Sequence, residues 1–192
     1  MKKEILSLFP TPVGIYEIDI DCNEIYDKLL QFKANPHGLL DGSLSSYAED
    51  QNILYNLTSL HKKIQICIDD YTKTTGLQSL IITGSWYNQM NLGCKVNLHR
   101  HEGSVVSGVF YVKAHNSVPL KFKSPLLPHK MNDLYDRMDC AFSSFGIHLQ
   151  PKTGSLIVFP SWIEHETDNE TGERCVISFN TLYKNLFFPH FT

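Results

Sequence analysis

Two histidines separated by one residue, His99-Arg100-His101, are the first side chains in this sequence that invite chemistry. In an extended segment residues i and i+2 point the same way, so the pair can present two imidazole nitrogens to one ion. The pairing gains weight from the stretch that runs from Pro151 through Gly154, the apolar run Leu156-Ile157-Val158-Phe159 and the corner Pro160-Ser161-Trp162 to His165. In a jelly roll such a strand returns beside an earlier one, and three imidazoles, His99, His101 and His165, would then cap one face of a divalent ion. Arg174 follows, heading the strand-like Cys175-Val176-Ile177-Ser178-Phe179-Asn180. A guanidinium entering a barrel is costly to bury unless an anion meets it, and its fork matches a carboxylate in two hydrogen bonds. Metal ligands plus a carboxylate-binding arginine describe a site for an oxoacid.

The other histidines have plainer readings. His37, His115, His129 and His190 stand beside turn residues, where an exposed ring is expected; His61 follows Leu60 on a helical stripe, and His148 reads as a packing histidine in a strand. Trp86, Tyr111 and Trp162 at strand positions are read as core, as aromatics there usually are. Tyr87 and Asn88 are expected to touch a cosubstrate. Asn97 either orients the histidine pair or caps a turn.

Elements must carry these residues to one place. Prolines followed by alternating residues up to Ile18 predict a short strand at a sheet edge. Asp21 or Asn23 can cap a helix whose stripe is Ile25, Leu29, Leu30 and Phe32. A second helix is predicted from Leu54, Leu57, Leu60, Ile64, Ile68 and Tyr71, stopped by Gly76. From residue 79 the texture turns to short β-rich runs: Ser79–Met90, Val96–His99, Val105–Lys113, Leu120–Lys123, Ile147–Gln150, Ser155–Phe159 and Cys175–Tyr183. Many short strands without alternating helices predict a sandwich, barrel or jelly roll. Residues 124–144 break the pattern and read as a long loop, either a lid or a solvated excursion. One domain spans 1–192, with 1–78 supplying a strand and helices that pack on the sheet and 79–192 the β core.

Composition narrows the setting. Hydrophobic residues at 42% and charged residues at 19% are a globular balance, which excludes a disordered tail. A net charge of -3 gives no field to neutralise phosphates, so nucleic acid is not expected as a partner. Five scattered cysteines, Cys22, Cys67, Cys94, Cys140 and Cys175, form no C-x-x-C pair and no even set, which argues against a disulfide framework and a zinc knuckle. The N-terminus carries no signal-peptide core, and no window approaches the roughly 20 apolar residues of a membrane helix. A soluble cytoplasmic protein is expected.

The residues also carry a resemblance. Leu8-Phe9-Pro10-Thr11-Pro12, Ser85-Trp86-Tyr87-Asn88, Asn97 to His101, Ser107-Gly108-Val109-Phe110-Tyr111-Val112, Gly154 to Trp162 and Arg174 to Asn180, in that order, resemble the iron(II)/2-oxoglutarate-dependent oxygenases, in particular a small group frequent in bacteria and phages. The resemblance implies a double-stranded β-helix (cupin-like jelly roll) with N-terminal helices, and iron(II), 2-oxoglutarate and dioxygen as cofactor and cosubstrates. It also implies a hydroxylase activity on a substrate the sequence does not name. On it, His99 and His165 take the two histidine places, Arg174 pairs with the far carboxylate of 2-oxoglutarate, and Ser178 assists from the same strand face. Most of the superfamily has an acid two residues after the first histidine; here that residue is His101. Three readings stay open: an all-histidine site, favoured by residue parity; Glu102 swinging in as the carboxylate; or a weaker metal site used for binding only. An imidazole at that place disfavours halogenation, which needs a small residue there. The rivals are a cupin-like binding protein and a three-histidine dioxygenase that works without 2-oxoglutarate, which would have no need of Arg174.

Overall fold

Three neighbouring strands show how the sequence builds the molecule, because their side chains alternate between two apolar environments. On β6 (Val106–His115) Phe110 and Val112 face one core and Tyr111 the other; on β9 (Ser155–Pro160) Leu156 and Val158 oppose Ile157 and Phe159; on β11 (Glu173–Tyr183) Cys175, Ile177 and Phe179 oppose Val176. A sheet covered on both faces needs near-continuous apolar strands, and these runs supply them. Here they sit centrally in a large antiparallel sheet of order β1-β9-β6-β11-β4-β3-β2, with β5 also paired to β3. Its remaining strands are β1 (Gly14–Glu17), β2 (Asn35–His37), β3 (Leu40–Ser45), β4 (Leu80–Met90) and β5 (Lys95–Val96). A second sheet, β10-β7-β8, combines β7 (Leu120–Lys123), β8 (Gly146–Leu149) and β10 (His165–Thr167). This computed structural model describes residues 1, 3, 4, 6, 9–126 and 144–187.

Helices cover the outer face of the large sheet. Asp21 caps α1 (Cys22–Leu29) by accepting the backbone N–H groups of Asn23 and Glu24, and Ile25 and Leu29 are the residues it buries. The long helix α3 (Thr58–Thr75) buries Leu60, Ile64, Ile68 and Tyr71, spaced to share one face, and stops at Gly76, whose φ of 73° suits a residue without a Cβ. Each of these side chains, removed from water against Leu80, Ile82, Phe110 and Phe179, contributes about 1.5–3 kcal/mol. The smaller core, Tyr111, Leu120, Phe122, Ile157, Phe159, Ile163 and Val176, lies on the opposite face, toward the second sheet.

The double-stranded β-helix and its helical cover agree with the sequence expectation, with local differences. The expected second helix is two, α2 (Ile53–Asn56) and α3, because the chain breaks at Leu57 (φ -116°, ψ 58°) while Ser85 Oγ takes the N–H of Leu54 onto β4. Strands β2 and β3 went unpredicted; their Pro, Gly and Ser content shows no alternation, and pairing of β3 with β4 and β5, and of β2 with β3, makes them strands. With β1 they bring residues before 78 into the sheet itself. Strand β10 is three residues of polar character, and β5 ends before His99. A final short helix, α4, covers Lys184–Phe187. Most of the 124–144 loop, with His129 and Cys140, lies outside the described residues, as do Leu8 and His190.

Candidate metal centre and cavity

His99 and His165 are held together by the main chain before any ion is considered. They form an isolated antiparallel bridge, the N–H of His99 donating to the carbonyl of His165 at 3.1 Å and the reverse at 2.9 Å. His101 is anchored two residues on, its N–H donating to the carbonyl of Ser161 at 2.9 Å. The ring centroids of His99 and His165 are 4.2 Å apart, and those of His101 and His165 5.2 Å apart with their planes nearly parallel at 8°. One nitrogen from each of the three rings can be chosen so that all lie within 4.8 Å of one another.

Hydrogen bonds fix which nitrogen is available. Nδ1 of His99 lies 2.9 Å from the carbonyl of Asn97, and Nδ1 of His165 lies 3.0 Å from that of Ile163. A carbonyl only accepts, so each ring carries its proton on Nδ1 and turns an Nε2 lone pair inward. Nε2 of His101 stands 3.3 Å from Nε2 of His165, close enough for His101 to donate a proton to it in the absence of an ion and for one cation to take that proton's place. Burial, and next the neighbouring His99, lowers His165 to about 3 and His101 to about 4, and burial lowers His99 as well. All three rings are therefore neutral near pH 7, the form that ligates. The donor set fits a divalent first-row ion.

Next to the histidines lies a cavity of about 560 Å³. Its floor is the inner face of three central strands in register: Met90 opposite Arg174, Asn88 opposite Val176, Trp86 opposite Ser178, with Val109 and Tyr111 beside Ser178 and Val176. Arg174 is buried, its Nε 2.7 Å from Oε1 of Glu170 and 2.7 Å from Oγ of Ser117, while Nη2 donates to the carbonyl of Val118. Its Cζ lies 5.6 Å from the centre of the Tyr111 ring. Burial pushes the Tyr111 hydroxyl up to about 12, against the opposing pull of Arg174, so it stays a donor. Among the described residues Oδ1 of Asn88 is buried without a partner, and its Nδ2 reaches Ser178 Oγ at 3.5 Å. The Tyr111 hydroxyl and Nη1 of Arg174 are donors that suit an anionic ligand, whereas Oδ1 of Asn88 can only accept.

The structure thus brings His99, His101, His165, Asn88, Ser178 and Arg174 to one cavity. Tyr87 does not join them, a correction forced by strand parity: it points to the helical side of β4, packs in the main core and donates its hydroxyl to the carbonyl of Phe32 at 3.0 Å. Glu102 lies at the rim with a largely exposed side chain, paired to Arg100 at 3.0 Å, and stands outside the imidazole cluster. Asn97 acts on His99 through its backbone carbonyl, not its amide. Tyr111 is fully buried in the smaller core and Trp86 is buried, as expected, and both also line the cavity, whereas Trp162 is half exposed. Asn180 was overlooked although it sits at even offset from Arg174 and Ser178; it accepts from Ser107 Oγ at 2.8 Å and favours the charged form of the His101 ring, against the stronger effect of burial. Glu170 and Ser117 lie in loops without any motif, and no sequence signal marks them.

The fold is that of a double-stranded β-helix with a candidate metal centre beside an anion-receptive cavity. Residues 84–180 match the family profile described as "Putative 2OG-Fe(II) oxygenase", more than half of the chain. The chain belongs to this family of iron(II)/2-oxoglutarate oxygenases, and is an enzyme that uses iron(II), 2-oxoglutarate and dioxygen. Among curated proteins none matches. Among solved structures, a prolyl-4-hydroxylase from Pseudomonas putida superposes with a TM-score of 0.59 at 13% identity, covering 91% of this chain and 94% of that one. HygX from Streptomyces hygroscopicus, solved with nickel and 2-oxoglutarate, gives 0.64 at 10% identity, covering 91% and 84%. A prolyl hydroxylase from Trichoplax adhaerens, in complex with a hypoxia inducible factor peptide fragment, gives 0.58 at 13%, covering 94% and 87%. At these identities the likeness is one of fold. No helix among the described residues is long and apolar enough to cross a membrane.

Proposed function

We propose that residues 1–192 act as one oxygenase domain that hydroxylates a C–H bond of a substrate seated at the open side of the cavity, with His99, His101 and His165 holding iron(II) through Nε2. The observation that carries this reading is the convergence of three neutral imidazoles, two with their protons committed to carbonyls, on the cavity that buries Arg174. When bound, iron supplies the oxygen activation that couples breakdown of 2-oxoglutarate to hydroxylation. The protein's part is placement and the exclusion of water. Nη1 of Arg174 and the Tyr111 hydroxyl receive the cosubstrate's far carboxylate, with Ser178 and Asn88 beside them. Met90, Leu120 and Val176 supply an apolar wall. At the mouth, His37, Tyr47 and Trp86 stack edge to face at 5.2 and 5.0 Å and form the wall against which substrate is held. Four free cysteines among the described residues support a reducing, cytoplasmic setting.

Anaerobic titration tests the assignment. Iron(II) followed by 2-oxoglutarate is expected to develop a cosubstrate-dependent absorption band, and His165→Ala to abolish it along with uncoupled succinate formation. A wild-type protein that binds iron without such a band, or a His165→Ala protein that keeps it, refutes the site.

A further inference from the structure

Glu170 is a buried acid that the proposed chemistry does not use. It is 1% exposed, and donors from one other chain segment and from Arg174 surround its carboxylate. Arg174 Nε lies 2.7 Å from Oε1, while Ser117 Oγ and Val118 N donate to Oε2 at 3.0 and 3.2 Å. Its backbone is equally tied: the N–H of Gly93 donates to its carbonyl at 2.8 Å, and its own N–H donates to the carbonyl of Cys94 at 2.7 Å. Glu170 does not line the cavity; Arg174 does. With Nε donating to Ser117 and ion-paired with Glu170, and Nη2 donating to Val118, Nη1 is left without a hydrogen bond among the described residues.

A buried guanidinium needs a counter-charge in every state of the enzyme, and an anionic cosubstrate supplies one only while it is bound. We propose that Glu170 is a built-in counter-ion and positioning residue: it keeps Arg174 balanced and aimed at the cavity between turnovers, and it sets cosubstrate affinity by competing for the same guanidinium. The inference rests on the reading of Arg174 as the carboxylate site. Its consequence follows from linkage. Removing the internal charge destabilises the cosubstrate-free protein more than the bound one, so the variant binds 2-oxoglutarate more tightly. An acid that merely braced three loops would lower the stability of both states alike and leave affinity unchanged.

The test is calorimetric titration of 2-oxoglutarate into Ni(II)-loaded wild type, Glu170→Gln, Glu170→Ala and Arg174→Ala, with melting temperatures recorded with and without 2-oxoglutarate. Both Glu170 variants are expected to melt lower than wild type alone, to recover more on addition of 2-oxoglutarate, and to bind it about fivefold more tightly or better, the lower end of ordinary coupling. Glu170→Gln keeps the side-chain shape and decides the matter if Glu170→Ala does not fold. Unchanged or weaker binding by Glu170→Gln, while Arg174→Ala loses the cosubstrate, overturns the counter-ion and leaves the arginine's role standing. If wild type fails to bind, or Arg174→Ala binds as well as wild type, the carboxylate site itself falls and the inference with it.

Discussion

By the resemblance read from the sequence, His101 takes the place where most of the superfamily has an acid, and its neighbour Glu102 offers one a single residue away. The ring of His101 opposes that of His165 at 3.3 Å between Nε2 atoms, whereas the Glu102 carboxylate is spent on Arg100. His101→Ala is therefore expected to lose iron in an equilibrium titration, and Glu102→Gln to titrate like wild type; the reverse pattern would make Glu102 the ligand. Behind His101, Asn180 is held by Ser107, which bonds Ser161 Oγ at 2.7 Å, and Ser161 bonds Ser104 at 2.9 Å. Groups that orient a ligand typically account for about 10- to 100-fold in metal affinity, and Asn180→Ala should weaken iron binding by that factor with the fold intact by circular dichroism. The histidines and Arg174 were legible because parity and strand order are local properties of sequence. Glu170 and Ser117 were not, since their meaning arises only when separate loops meet around one guanidinium.

Strands β6 and β11 must approach closely for Arg174, Ser178 and Asn180 to share a wall with Val109 and Tyr111. Between those strands Gly108 leaves room for its cross-strand partner: a Cβ there would stand 2.3 Å from the ring of Phe179, which is fully buried. Gly108→Ala is expected to cost about 1–3 kcal/mol through overpacking, measured by urea denaturation; a midpoint equal to wild type would show that Phe179 can move aside. The element pattern divides along the same physical line. Continuous apolar runs announced β4, β6, β9 and β11, and a helical stripe closed by Gly76 announced α3. Strands β2, β3 and β10 escaped notice because neighbouring strands, not their own alternation, confer their conformation. Tyr87 was misassigned by one position of parity, which in a strand moves a side chain to the opposite face.

Across the whole molecule, burying three neutral imidazoles couples stability to acidity in the metal-free protein. His165 and His101 are lowered to about 3 and about 4, whereas an unfolded histidine titrates near 6.5. Between those values the unfolded chain binds more protons than the folded one, so stability is whole above about pH 6.5 and declines as pH falls toward 4. Melting temperatures of iron-free protein should drop between pH 6.5 and 5, and the His165→Leu variant should show a shallower decline; a wild-type curve level over that interval would contradict it. The reciprocal backbone bridge between His99 and His165 has another consequence. Two of the three proposed donors are preset by the main chain, so capturing an ion costs little conformational freedom and the choice among ions falls to donor chemistry. An all-nitrogen site ranks first-row ions by the general affinity order, in which iron(II) trails nickel and copper. The ion this protein carries in a cell would then be decided by which metals are supplied, not by the cage.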